Sequence, residues 1–371
     1  VKVIVVGAGI MGLSAAWALA RLGHHVTVLD QGPVPNPRGA SFDQHRLIRY
    51  PYGAALGYTR MVGEAYGAWD RLWADLGERH YVSTGTLAMC VGDTRWVEAS
   101  ADALKTLGLM VQWLPPAELP SRFPLLTADG VSSAFHSDTG GVLLADRIVT
   151  ALASHLVWRG VTVVPDTRVV EIDPASASVT QAKGQRLQAD ALVVAAGAWI
   201  PRLVPGFAAR VTPSRQVLVY LAPPADVVAA WSAHPLILDI GPDSGFYLVP
   251  PVAGTGLKIG DHSFTMAGDP DHPREVAPEE AAPVFESCRR RLAGFERYRL
   301  ASARSCYYAV EPEERFVLEP LGRAWVMAAC SGHAFKFGPV LGQRLAAAID
   351  GRLDPSDLAR WAAGQGGLPF D

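Results

Sequence analysis

A glycine series set between a strand and a helix constrains this chain more than any other feature. Val1 to Val6 (VKVIVV) is a short β-branched run, Gly7-Ala8-Gly9-Ile10-Met11-Gly12 follows, and Leu13 to Leu22 carries helical periodicity until Gly23 stops it. Val26 to Leu29 reads as a second buried strand that ends on Asp30, eighteen residues after Gly12. The unit closes within about thirty residues, the length of a βαβ crossover. Gly7 permits the tight turn, Gly9 leaves room for a pyrophosphate against the backbone, and Gly12 lets helix and strand pack closely. The helix N-terminus turns free N–H groups and a positive dipole end toward the phosphates, and Ile10 and Met11 in the turn are expected to contact the cofactor. Asp30 is placed to accept hydrogen bonds from the adenosine ribose, which disfavours a 2′-phosphate. This pattern predicts a dinucleotide site and leaves NAD and FAD both open.

The rest of the composition narrows the class. A length of 371 residues suits two domains. Apolar residues at 49% and charged residues at 19% describe a well-buried globular protein. A net charge of −3 without a Lys/Arg run gives no electrostatic reason for a nucleic-acid or anionic-membrane partner. No 18-residue uncharged apolar run occurs, so a cytoplasmic protein acting on small molecules is expected, its oligomeric state open and a monomer compatible. Cys90, Cys288, Cys306 and Cys330 are scattered without CxxC spacing, and no HExxH occurs; neither a disulfide framework nor a metal site is expected.

Further along, Glu64 to Leu76, Thr94 to Leu107, Asp146 to Trp158, Glu279 to Arg291 and Pro339 to Ile349 read as helices. Ser83 to Val91 alternates like a strand, and Leu192 to Ala195 and Trp325 to Ala329 read as buried strands that return to the nucleotide domain. Alternation in Gln216 to Leu221 and Gly245 to Gly260 implies an antiparallel sheet. The expected fold is α/β, a Rossmann-type nucleotide domain (1–88, 145–215 and 300–371) intergrown with a substrate domain (89–144 and 216–299) built on an antiparallel sheet with helices.

Five segments in order carry a resemblance: GAGIMG with Asp30; His45-Arg46-Leu47-Ile48-Arg49-Tyr50-Pro51-Tyr52-Gly53; Gly256 to His262 (GLKIGDH); Cys306-Tyr307-Tyr308; and Ser331 to Phe337 (SGHAFKF). Together they resemble the FAD-dependent amine oxidases of the D-amino acid oxidase superfamily, above all the monomeric sarcosine oxidase and N-methyltryptophan oxidase group. The resemblance covers nearly the whole chain and implies FAD, held covalently through Cys306. It implies oxidation of the C–N bond of a small secondary amine or amino acid to an imine, with O2 reduced to H2O2. A dehydrogenase passing electrons to a quinone or carrier, and a non-catalytic flavin-binding protein, are the alternatives.

By the same resemblance Arg49 and Lys336 are expected on the substrate carboxylate, Arg46 beside the flavin, and Lys258 near the flavin face to promote reaction with oxygen. Arginine suits a carboxylate because its planar fork donates two parallel hydrogen bonds. Lys258 could instead be a strand-edge gatekeeper, and Lys336 could snorkel to water. His262, Tyr247, Tyr308 and His333 fall at pocket-like positions; Ser41, His45, Val169, Gly197, Trp199, Gly332, His333 and Lys336 are expected to contact the cofactor. The segment Gly39 to His45 (GASFDQH) departs from the histidine pair of sarcosine oxidases, and Ala334 replaces a usual glycine. Those departures leave room for a cyclic imino acid or a larger amine.

Overall fold

The computed structural model describes residues 1–241 and 245–366. Its first layer is a six-stranded sheet in the spatial order Val317–Leu321, Ala324–Ala328, Ala191–Val194, Lys2–Val6, His25–Leu29, Thr162–Val164. All neighbours run parallel except the first pair, which is antiparallel. Val5, Val28 and Val193 have no solvent exposure. These strands are covered on both faces, which is why they read as unbroken apolar runs, and each such side chain contributes about 1.5–3 kcal/mol.

The helix Ile10–Arg21 packs on this sheet beside the helix Gly338–Ile349. A Cβ on Gly338 would lie 2.7 Å from Ile10 Cγ1, and one on Gly342 would lie 2.4 Å from Ser14 O. Equal steps along both chains mean that the two helices run parallel with their N-termini level. At Gly7 φ is +106°, and an added Cβ would sit 2.4 Å from Ala195 O. At Gly12 it would sit 1.9 Å from Gly7 O. Both glycines are therefore dictated by backbone against backbone.

The second layer is an eight-stranded sheet in the order Arg299–Val310, Thr212–Ala222, Leu257–Asp261, Phe246–Val249, Leu236–Ile240, Thr86–Val91, Val131–Ser137, Gln112–Trp113. It is antiparallel apart from the parallel pairing of Leu236–Ile240 with Thr86–Val91. A three-stranded sheet of Arg46–Ile48, Gly141–Leu143 and Tyr81–Ser83 is a separate, smaller unit.

Several expected boundaries move. Ser83 to Val91 is two strands in two sheets, broken at Gly85 with φ of +75°. Expected domain limits at 88/89, 215/216 and 299/300 cut through or beside strands of the eight-stranded sheet, which claims residues 86–91, 212–222 and 299–310. Long strands hide here because their two faces pack on different neighbours and show no simple alternation. The helix expected at Glu279 to Arg291 ends at Glu286, and the helix expected to start at Glu64 begins at Leu56. Among the described residues no helix is long and apolar enough to cross a membrane.

Candidate active site

Two cavities adjoin where the sheets meet. The first, about 260 Å³, is lined by Gly7, Gly9, Ile10, Met11, Asp30, Ser41, Val169, Gly197 and Trp199, with Tyr307 and Cys330 further along. The second, about 440 Å³, is lined by Arg49, Tyr52, Trp96, Tyr247, Lys258, His262, His333 and Lys336. Arg46, Tyr308, Gly332 and Phe335 belong to both walls, so the cavities meet there.

In the first cavity the glycine turn is a cradle for a bulky group. The helix Ile10–Arg21 has no side-chain cap at Gly9, and Ile10 N–H donates to Ser41 Oγ at 2.9 Å. Asp30 accepts from Ala8 N–H at 2.7 Å, Gly32 N–H at 3.0 Å and Asn36 Nδ2 at 2.7 Å. Three of about four carboxylate acceptor positions are thus used by the protein, which leaves one for a ribose hydroxyl. Burial raises the Asp30 pKa against those hydrogen bonds. Trp199 Nε1 donates to Asp271 Oδ1 at 2.9 Å, which ties the 262–277 segment to the cavity wall.

Five residues expected at the cofactor do not line the first cavity, and two of them, His333 and Lys336, line the second. Gly12 lies beneath Gly7 and serves packing. His45 is fully buried outside both cavities; its Nε2 donates to Gly256 O at 2.9 Å, and burial pushes its pKa down to about 3, so it is a neutral clasp between loop and strand end. Cys306 is 1% exposed, on the strand Arg299–Val310 beside the cavity-lining Tyr307 and Tyr308. Burial raises its thiol pKa while Arg46 opposes the rise.

The second cavity brings together Arg46, Arg49, Tyr247, Lys258, His262, Tyr308 and Lys336, which come from five separated stretches of chain. Lys258 is 1% exposed on the third strand of the eight-stranded sheet. That placement removes the gatekeeper alternative, which requires an edge. Lys336 is 3% exposed, so it does not snorkel.

Two cation pairs stand in this wall. Lys258 Nζ donates to Asp43 Oδ2 at 2.9 Å and His45 O at 2.6 Å. Arg46 also donates to Asp43, and its second nitrogen to Ala40 O at 2.7 Å. Burial opposes all three charges, yet the two cations hold Asp43 far below the usual carboxylate range and Asp43 holds Arg46 up. Arg49 and Lys336 differ. Arg49 donates to Pro51 O and lies over the Tyr52 ring at 4.3 Å, and its buried Nε–H has no acceptor. Lys336 Nζ donates to His333 O at 2.7 Å and Tyr52 Oη at 3.0 Å. Among the described residues neither has a carboxylate within 4.0 Å.

Burial and then Arg49 push Lys336 well below the ordinary lysine pKa. His333 is held in one tautomer, Nε2–H donating to Glu314 O at 2.9 Å and Nδ1 accepting from Tyr52 at 3.1 Å. His262 lines the cavity with an exposed surface, and the protein packed around it, with Arg49, lowers its pKa to about 4. Tyr247 and Tyr308 are pushed up by burial and stay neutral phenols.

A family model described as FAD dependent oxidoreductase matches residues 2–348. The chain belongs to that family. This flavoenzyme is 28% identical over 354 residues to monomeric sarcosine oxidase of Bacillus sp. (strain B-0618), covering 92% of this chain and 90% of that one. It is 30% identical over 376 residues to peroxisomal sarcosine oxidase of Mus musculus, covering 96% and 94%. In fold it is similar to the amino acid oxidase NikD of nikkomycin biosynthesis, with a TM-score of 0.82 and 21% identity over 99% of this chain and 98% of that one. The cradle, the spare acceptor on Asp30 and the adjoining second cavity fit FAD.

Sequence reasoning missed Asp43, Tyr220 and Tyr52. Tyr220 donates to Asp43 from the neighbouring strand, 177 residues away, and no local pattern announces that. An acid alone within GASFDQH was the signal available for Asp43.

Proposed function

We propose that this flavoenzyme oxidises the C–N bond of a small amine that carries a carboxylate, an N-alkyl or cyclic amino acid, to its imine, with O2 as acceptor. The observation that carries the reading is the pair Arg49, half-buried, and Lys336, buried, with no carboxylate within 4.0 Å among the described residues and only the longer-range field of Glu314 on Arg49, in a cavity that opens on the FAD site. A buried charge left unpaired costs several kcal/mol, so such a pair persists where a ligand supplies the anion. Glycine-turn residues Gly7, Gly9, Ile10 and Met11, with Ser41 and Asp30, would hold the adenosine diphosphate end; Val169, Gly197, Trp199 and Gly332 would line its path.

FAD, when bound, takes two electrons from the substrate and returns them to O2 as H2O2. Arg49 and Lys336 orient the substrate by its carboxylate. Their field, with the neutral His262 and His333 nearby, disfavours an ammonium and so favours the free-base amine that oxidation needs. Tyr247 and Tyr308 offer neutral hydroxyls, and Lys258 and Arg46 present positive charge toward the flavin and oxygen. Leu47, Trp96, Leu238 and Ile240 form an apolar side of the cavity, which favours a substrate larger than an N-methylated glycine. Covalent attachment through Cys306 is proposed from the family resemblance; its buried thiol lies on the strand that carries Tyr307 and Tyr308 and lines neither cavity.

Anaerobic mixing with N-methyl and cyclic amino acids, and with the same amines lacking the carboxylate, tests the function. Bleaching by the first set alone, reversed by air with release of H2O2, is expected. A reduced protein that stays colourless in air would make it a dehydrogenase. Acid precipitation that leaves yellow colour in the supernatant would overturn the Cys306 linkage.

A further inference from the structure

We propose that Asp43 is a positioning residue for Lys258, its buried carboxylate fixing both the direction and the charge of the ammonium in the second cavity. The inference rests on the reading of Lys258 as the cation that faces flavin and oxygen.

Asp43 and Lys258 are each 1% exposed at the side chain and 2.9 Å apart. Two of the three ammonium hydrogens go to Asp43 Oδ2 and His45 O, which leaves one for the cavity that Lys258 lines. The carboxylate is itself immobilised, since Gln44 N–H at 2.9 Å, Arg46 and Tyr220 Oη–H all donate to it. The backbone of Lys258 is held between register partners Tyr220 and Val249 on its two neighbouring strands. Neither end of the pair can drift, so the free N–H keeps one direction.

Charge leads to the same residue. The titratable groups around Lys258 are Asp43 and His45 from the 39–45 loop, Arg46 from its strand, Cys306 and Tyr308 from the strand Arg299–Val310, Tyr220 and Tyr247. Burial keeps Cys306, Tyr220, Tyr247 and Tyr308 protonated and His45 neutral. Asp43 is thus the single anion of the set. Burial and Arg46 push Lys258 down to about 8 against Asp43. Without that carboxylate two cations would face each other in a dry site, and the lysine would release its proton, because a guanidinium stays charged.

The test uses holoprotein of the parent chain, Asp43→Asn and Lys258→Met. Flavin absorbance is titrated across roughly pH 6 to 10, and reoxidation of photoreduced protein by O2 is timed at each pH. The parent is expected to show an absorbance transition near the Lys258 pKa of about 8, with slower reoxidation above it. Asp43→Asn should move both to lower pH by about one unit or more, a tenfold change in proton affinity, and Lys258→Met should remove both. An Asp43→Asn profile that superimposes on the parent while Lys258→Met flattens it overturns the positioning role and leaves the reading of Lys258 standing. A Lys258→Met profile identical to the parent overturns that reading and this proposal with it. Where Asp43→Asn gives no folded holoprotein, Asp43→Glu keeps the charge and displaces the ammonium: reoxidation should slow by roughly 3–10-fold with the transition in place, and an unchanged rate overturns the proposal.

Discussion

Arg46 and Lys258 share the carboxylate of Asp43, whereas Arg49 and Lys336, in the wall of the same cavity, rest on a carbonyl, a phenol and an aromatic face. Each pair sets a buried lysine beside a half-buried arginine. The first closes its charge inside the fold, so it is part of the permanent electrostatics of the site. The second leaves its charge open, which the proposed substrate carboxylate would complete. Partner chemistry, and not burial or residue type, separates a cation that belongs to the fold from one that belongs to the ligand.

The comparison breaks most forcefully at Asp43. Asp43→Ala leaves Arg46 without its anion and drives the proton off Lys258, and a loss of about 3–5 kcal/mol is expected in chemical denaturation of the holoprotein. Lys336→Met should do the opposite to stability, leaving it equal or higher, while weakening binding of a simple aromatic carboxylate by about 10²–10³-fold in a spectral titration. A loss of stability in Lys336→Met comparable to that of Asp43→Ala would mean that the pairs are not different in kind.

A carboxylate ligand at about a hundred times its Kd should stabilise the parent by about 2.7 kcal/mol in thermal unfolding, and Lys336→Met much less at the same concentration. The smallest effect is in pH. The folded-state pKa of Lys336 lies below its unfolded value, and a bound carboxylate favours the charged form. Affinity for that ligand should therefore be full below the depressed pKa and fall as pH rises through it, by at most about tenfold per unit. Lys336→Met should show a flat profile over the same range.

Much of the fold was legible because its signals are local. The glycine turn, both flanking strands and Asp30 lie within thirty residues, and their spacing reflects contacts between near neighbours in sequence. The helices Arg95–Thr106, Ala145–Trp158 and Gly338–Ile349 were readable from periodicity for the same reason. The strand Arg299–Val310 was not, because its partner Thr212–Ala222 lies about ninety residues earlier and sets its two faces. The domain limits moved on that account.

Residue types and likeness in the sequence pointed to a dinucleotide turn at the start of the chain and to Arg46, Arg49, Lys258 and Lys336, which line one cavity. They could not determine which cations are neutralised. That depends on a carboxylate from one loop, a lysine 215 residues later and a tyrosine 177 residues away meeting in a buried space. Only the packing of two sheets creates that space, and it left Arg49 and Lys336 without a described carboxylate within 4.0 Å, Glu314 acting on Arg49 only from further off.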